Sequence, residues 1–320
     1  MADQTPQKKS WLWRLSIFNI CFLLAIFFLG AYVAERTRWT TFVAYLPQAV
    51  YFIPLVILLI WALVSRRKKS LTLNLIAGAI FSYLLLGINC PHRLKIADEG
   101  PRFTLMTFNI KNCTMGWDRA LATIRAANPD VICFQEANQM GALPPGYHLE
   151  FYSGKAIAAK ERIIDKRTFP LTPGISEALE VKLESGLTVV SVQLASFSIG
   201  RQAVMQFWGL PTHMFNIARI HDREADILIQ RYRGRKDTVI AGDFNCPPRG
   251  QVYNKLARSF NDSFVDSGWL TGFTYPSSFP LQRIDYAFTT DLRPQSARTL
   301  FTNGSDHCPV LFEFIIYRPT

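Results

Sequence analysis

Asn303-Gly304-Ser305-Asp306-His307-Cys308-Pro309-Val310, close to the C-terminal end of a 320-residue chain, sets an acid and an imidazole side by side just before an apolar run. Four stretches upstream repeat the arrangement: Arg283-Ile284-Asp285-Tyr286, Ala241-Gly242-Asp243-Phe244-Asn245, Asp130-Val131-Ile132-Cys133-Phe134-Gln135-Glu136 and Thr107-Phe108-Asn109-Ile110. In each, a carboxylate, amide or imidazole stands at an end of an apolar run of strand type. Several strand ends bearing acids, amides and one His describe a single oxygen-rich site of the kind that holds a hard divalent cation.

The sequence around these stretches predicts the scaffold. Residues 103–109 alternate as a strand, and 117–127 have helical spacing closed by Asn128-Pro129. Residues 131–134 are a short apolar run typical of a buried strand. Further strands are expected at 155–159, 178–183, 187–194, 238–241, 284–288 and 310–316, and helices at about 213–232 and 251–259. Many strands with interspersed helices imply an α/β sandwich, two sheets face to face with helices outside.

The first third reads differently. Residues 11–34, 42–64 and 71–90 are apolar stretches of about 20 residues, the length that crosses a bilayer. Three transmembrane helices are therefore expected in a membrane anchor over 1–92, followed by a polar linker at 93–102 and a globular domain over 103–320. The first apolar core is longer than that of a cleaved signal peptide, and no small-x-small site follows it. Lys8, Lys9 and Arg14 precede the first stretch, and Arg66, Arg67, Lys68 and Lys69 separate the second from the third. The positive-inside rule then places the N-terminus in the cytoplasm and the domain in the periplasm or extracellular space, multi-pass in the inner or plasma membrane.

Charge and cysteine content narrow the function. The net charge of +11 divides unevenly: residues 1–100 hold 11 Lys and Arg against 4 Asp and Glu, whereas 101–320 hold 24 against 20. Only +4 belongs to the globular part, which is little for a nucleic-acid footprint. Its one basic cluster is Arg231, Arg233, Arg235 and Lys236. Six scattered cysteines form neither a disulfide framework nor a zinc spacing. No Walker-type phosphate loop and no Gly-x-Ser-x-Gly elbow is present.

Within the five motifs, Glu136 is the foremost metal-ligand candidate, because a carboxylate ending an apolar strand has little structural use there. Asn109 and Asp306 are candidates to complete the coordination. Asp243 and Asn245 alternate with Phe244, so both side chains project on one side of an extended segment.

The order and content of the motifs resemble the endonuclease/exonuclease/phosphatase superfamily, which includes deoxyribonuclease I, AP endonucleases, sphingomyelinases and inositol phosphatases. The resemblance implies a four-layer α/β sandwich of two packed, mainly antiparallel sheets flanked by helices, across essentially all of 103–318. It implies a phosphoesterase dependent on Mg²⁺ or Mn²⁺, in which water attacks phosphorus in line. It assigns Asn109, Glu136 and Asp306 to the metal and Asp243 to activating water. Asn245 would hold phosphate or nucleophile, and the Asp285–His307 pair would act on the scissile phosphate. Many members carry a second His where this chain has Gln193, an amide that can bind a phosphate oxygen but cannot donate a proton as a general acid. Gln193, Tyr152 and Lys155 are the remaining substrate-binding candidates.

The substrate, a lipid head group or a nucleic acid, stays open. Crowded apolar residues over 196–218, from Phe197 to Phe215, favour a lipid, either as a cover on the sheet or as an interfacial loop. The basic cluster favours an extracytoplasmic nuclease. A catalytically inactive module that binds phosphate ligands at a membrane is the alternative from outside the enzymes.

Overall fold

A computed structural model describes residues 11–91, 100–197 and 209–315. The N-terminal part contains α1 (Trp11–Phe28), extended by a π-helical turn at Leu29–Val33, then α2 (Arg38–Tyr45), α3 (Phe52–Val64) and α4 (Lys68–Ile80). Leu23, Tyr51, Leu55, Ala77 and Phe81 join these helices in one apolar cluster, and Leu12, Leu58 and Ala62 join their other end. Among these side chains, Asn74 donates to Ser16 Oγ at 3.0 Å, the interhelical pairing that apolar helices use where water is absent.

The expectation of three spans is corrected here. Among the described residues, only Trp11–Val33, 23 residues long, is by itself both long and apolar enough to cross a membrane. The second stretch is broken: residues Arg38–Tyr45 and Gln48–Val64 meet at an angle of 88°. Pro47 lies at the break and lacks the N–H that would carry the helix across it. The third stretch gives a 13-residue helix that opens on Lys68 and Lys69, followed by a π-helical turn at Phe81–Leu85.

The globular part runs β1 (Arg102–Asn109), α5 (Trp117–Ala127), β2 (Val131–Gln135), β3 (His148–Tyr152), β4 (Lys155–Ala159), β5 (Ile163–Thr172), β6 (Ser176–Leu183) and β7 (Thr188–Gln193). It continues through α6 (Leu210–Tyr232), β8 (Thr238–Asp243), α7 (Gly250–Ser259), β9 (Asn261–Asp262), α8 (Ser263–Ser267), β10 (Asp285–Thr289), β11 (Arg293–Thr299) and β12 (Val310–Ile315). Two six-stranded mixed sheets result, ordered β11-β12-β1-β2-β4-β3 and β5-β6-β7-β8-β10-β9. The pairs β1–β2 and β7–β8 are parallel, and every other pairing is antiparallel.

Side-chain alternation builds the layers. Phe103, Leu105, Val131, Cys133, Val189, Val239 and Ala241 fill the core between the sheets. Met106, Phe108, Ile132 and Phe134 point the other way, under α5. Val190, Val192 and Ile240 do the same under α6 and α7. Central strands covered on both faces read as continuous apolar runs, as these do. Each such side chain contributes about 1.5–3 kcal/mol by leaving water.

The N-terminal part is docked on this sandwich. Ala34, Ala44 and Tyr45 belong to the same apolar cluster as α6 and α7. Arg249, half-buried and with its guanidinium pushed down to about 10 by desolvation, donates to the carbonyls of Ala44 at 2.9 Å and Leu85 at 3.2 Å. Asn89 Nδ2 donates to three carbonyls of the α8 turn, those of Phe264, Val265 and Gly268. Glu35 accepts from the Gln251 backbone N–H and the Tyr45 hydroxyl. Gly250 makes room for it: φ there is +86°, and a Cβ would stand 2.5 Å from Glu35 Oε1.

Burial raises Glu35 from 4.5 to about 7. Below about pH 4.5 the carboxyl is protonated both docked and free, so the docking is at full strength. As pH rises from 4.5 towards 7 only the undocked form ionises, and docking weakens by about 3 kcal/mol in total. The melting temperature of the full chain in detergent is thus expected to fall between pH 5 and pH 8. Glu35→Gln should flatten that slope, and an unchanged slope would rule out Glu35 as its source.

Candidate active site

The two central parallel pairs bring their C-terminal ends together. β1 ends at Asn109 and β2 leads into Glu136, while β7 ends at Gln193 and β8 at Asp243. Register seats Asn109 beside Gln135, Gln193 beside Asp243, and Asp285 beside Asp243. Five of the sequence-predicted positions therefore converge because the strands carrying them are neighbours. Gly242 is what allows the closest approach: a Cβ there would meet the Val192 carbonyl oxygen at 1.8 Å.

The polar cluster is continuous. Asn109 Nδ2 donates to Glu136 Oε1 at 3.0 Å and to Asp243 Oδ2 at 3.1 Å. Gln193 Nε2 donates to the same Glu136 oxygen at 2.9 Å. Gln193 therefore positions a carboxylate. Asp243 Oδ1 accepts the Asn245 backbone N–H at 2.9 Å, and the Asn245 amide donates to the Leu194 carbonyl at 3.0 Å. His307 Nδ1 lies 3.0 Å from Asp285 Oδ2, and its Nε2 lies 3.9 Å from Asp243 Oδ2. Ser305 ties this loop to β1: its hydroxyl donates to the Asn109 carbonyl at 2.7 Å and accepts the His307 N–H at 3.2 Å.

Burial sets the proton affinities. Desolvation raises Asp243 from 3.8 to about 7, partly offset by the imidazole of His307. Desolvation pulls His307 down, yet the Asp285 and Asp243 carboxylates outweigh it and lift the imidazole to about 10. At neutral pH the ring is an imidazolium with an N–H on each nitrogen.

Glu136, Asp243, Asn245, Asp306 and His307 line one cavity of about 490 Å³, with Asn109 and Asp285 buried behind it. Sequence reasoning missed Lys111 and Tyr275 beside the catalytic cluster, and Tyr45, Pro247 and Gln282 elsewhere in the lining. Lys111 Nζ pairs with Asp306 Oδ2 at 2.6 Å, and the Tyr275 ring lies 4.9 Å from the His307 ring. Lys111 stands two positions after Asn109, a cue available in the sequence, whereas Tyr275 lies in a loop without periodicity.

Tyr152 and Lys155 fall elsewhere. They face each other across the β3–β4 hairpin, where Lys155 Nζ donates to the Ser153 carbonyl and burial lowers its affinity for a proton. Neither is among the residues lining the cavity. The basic cluster at 231–236 lies before the first residue of β8, whereas Asp243 is its last. Five residue rises put about 16 Å of strand between them. Arg231 is instead held by Glu180 at 3.3 Å and stacked 4.1 Å from the Phe169 ring. Within the apolar 196–218 segment, Ile199, Val204, Met205, Phe207 and Trp208 lie outside the described residues, while Phe197 and Met214 pack on the core.

Two donor sets bear on a divalent cation. Asp243, Asp285 and His307 place ligand atoms within 4.8 Å of one another. There, however, Asp285 and His307 already satisfy each other. Glu136 fits a hard cation better. Both of its donors go to Oε1, and among the described residues none goes to Oε2; Asp306, with one oxygen on Lys111, lines the same cavity.

The profile of the Endonuclease/Exonuclease/phosphatase family matches residues 106–307. Among solved structures the chain is similar to a 3′ phosphatase from Neisseria bound to a product DNA hairpin, at 15% identity and a TM-score of 0.52. It is also similar to a 3′-5′ exonuclease from Neisseria meningitidis, at 15% identity and a TM-score of 0.51. Each likeness covers 67% of this chain and 100% of the other and concerns the fold. No curated protein matches the chain.

Proposed function

The chain belongs to the endonuclease/exonuclease/phosphatase family and is a hydrolase of phosphoester bonds; we propose that it is a metal-dependent phosphodiesterase or phosphomonoesterase held at a membrane by α1, with its site outside the cytoplasm. The carrying observation is the convergence of Glu136, Asp243, Asp306 and His307 on one cavity.

Asp243 takes the proton of the attacking water. Its proton affinity near 7 matches a base that must be ionised yet still accept a proton at neutral pH. The His307 imidazolium donates from Nε2 to a phosphoryl oxygen, and Asp285 on Nδ1 fixes the ring. Asn245 holds phosphate or nucleophile beside Asp243. Mg²⁺ or Mn²⁺, held by Glu136, Asn109 and Asp306, would supply positive charge against the phosphoryl oxygens. Asn109 and Gln193 keep the Glu136 carboxylate oriented for it.

For anchoring, the apolar helix Trp11–Val33 is the support. Arg66, Arg67, Lys68 and Lys69 lie beside the end of the helical layer where Leu12 and Ala62 pack, while the sandwich is docked at the other end. That polarity suits a cytoplasmic N-terminus and an external site. Nuclease action loses its sequence support, since the basic cluster stands away from the cavity.

Purified full chain in detergent is expected to hydrolyse bis-p-nitrophenyl phosphate with Mg²⁺ or Mn²⁺ and to stop when EDTA is added. Turnover that persists in EDTA would refute metal dependence. A folded chain that binds Mn²⁺ without turnover would support a ligand-binding role instead.

A further inference from the structure

The catalytic cavity is lined by two kinds of surface. One is the hydrogen-bonded cluster of acids with His307. The other is apolar, from Tyr45, Phe197, Met214, Pro247 and Ile284, with Ser196 and Gln282 also in the lining. Among the described residues of the lining, the basic side chains are Lys111, paired with Asp306, and His307, paired with Asp285. A polyanion would find no further positive charge along the wall, whereas an uncharged, apolar group would find aromatic and thioether surface.

Tyr45 is the unexpected member. It is the last residue of α2, outside the 106–307 region that matches the family profile. Its polar atoms are committed elsewhere: the hydroxyl donates to Glu35 at 3.1 Å, and the carbonyl accepts from Gln282 Nε2 at 2.7 Å. What remains for the cavity is the ring, set edge-on to Phe197 with centroids 5.3 Å apart. Tyr45 is thus fixed by Glu35, Gln282 and Phe197, and the N-terminal part completes a wall of the site. The apolar helix Trp11–Val33 ends two residues before Glu35, so this wall lies close to where a helix of membrane-crossing length stops.

We propose that Tyr45, with Phe197 and Met214, is a specificity-determining subsite that takes an apolar group esterified to the reacting phosphate, so that the substrate class is an amphiphilic phosphoester. The proposal rests on the reading of this cavity as the catalytic one. Whether such esters come from a bilayer or from solution, the shared chemistry is a phosphate with a hydrocarbon substituent.

The test compares methyl p-nitrophenyl phosphate with hexyl p-nitrophenyl phosphate, using the full chain in detergent with Mn²⁺. The wild type is expected to favour the hexyl ester in kcat/KM on the order of tenfold or more, chiefly through KM. Tyr45→Ala should bring that ratio close to one, and Tyr45→Phe should retain it. Met214→Ala, on the half-buried flank of α6, reads the same subsite should Tyr45→Ala fail to fold. Metal-dependent turnover with no chain-length preference, or a preference that survives both alanine variants, overturns the subsite alone. Absence of turnover on either ester overturns the catalytic reading and the proposal with it.

Discussion

Asp243→Asn is expected to lower kcat about 10²- to 10⁴-fold, the range associated with loss of a positioned general base, while the protein stays folded and still binds metal. The substitution keeps the shape and the oxygen that accepts the Asn245 N–H. It replaces the other oxygen with an NH₂ that faces Asn109 Nδ2, now 3.1 Å away, so one side-chain amide must turn over. That adjustment is local, and the β8–β10 and β7–β8 ladders on either side are backbone contacts the change does not touch. What is lost is a group that can accept a proton near neutral pH. Burst-free steady-state rates with Mn²⁺, together with Mn²⁺ binding and thermal melting, measure the three consequences separately. A variant retaining more than about a tenth of wild-type kcat would remove Asp243 from the role of base.

The same contacts show what the sequence could and could not convey. Strands β1, β2, β7 and β8 were legible because each is buried on both faces, so its apolar run is interrupted by no more than a small Thr or Ser and its acid or amide falls at or just past the end. The strands His148–Tyr152, Ile163–Thr172 and Arg293–Thr299 escaped notice. All three are edge strands that carry Glu, Asp, Lys or Arg, and Pro170 and Pro294 break the alternation in the second and third. Helix α5 was legible to its last residue because Asn128 caps it in the left-handed conformation and Pro129 forbids its continuation.

At the site, polar residues at strand ends were readable as a set, but their partners were not. Gln193 reads as a substrate contact when only the missing imidazole is considered. Its hydrogen bond to Glu136 depends on the parallel pairing of β7 with β8 and on the packing of the two sheets, neither of which is local in sequence. Tyr152 and Lys155 were drawn in by their type and position after β2, whereas the tight β3–β4 turn directs them to each other. Tyr45 was hidden for a further reason. It sits in a stretch whose composition reads as membrane helix, and only the 88° bend after it turns that stretch onto the sandwich. Arg283, two residues before Asp285, is paired with Asp262 at 2.9 Å, both side chains buried.

Glu136→Gln carries the second large effect, on metal rather than on proton transfer. The residue accepts from Asn109 and Gln193 through one oxygen, so a Gln can keep both hydrogen bonds with its own carbonyl and hold the same rotamer. Its NH₂ then replaces the oxygen left for the cation and presents a donor where a hard cation needs an anionic acceptor. Removing a group that merely orients a ligand costs about 10- to 100-fold in metal affinity, which is the expectation for Gln193→Ala. Glu136→Gln should exceed that range in the Mn²⁺ concentration needed for half-maximal rate, with melting temperature without metal close to wild type. The ordering of the two variants is the discriminating result. If Glu136→Gln left the metal requirement within that range or unchanged, the cation would have to be held by the Asp243, Asp285 and His307 cluster instead. The imidazole would then be a ligand and no longer a proton donor.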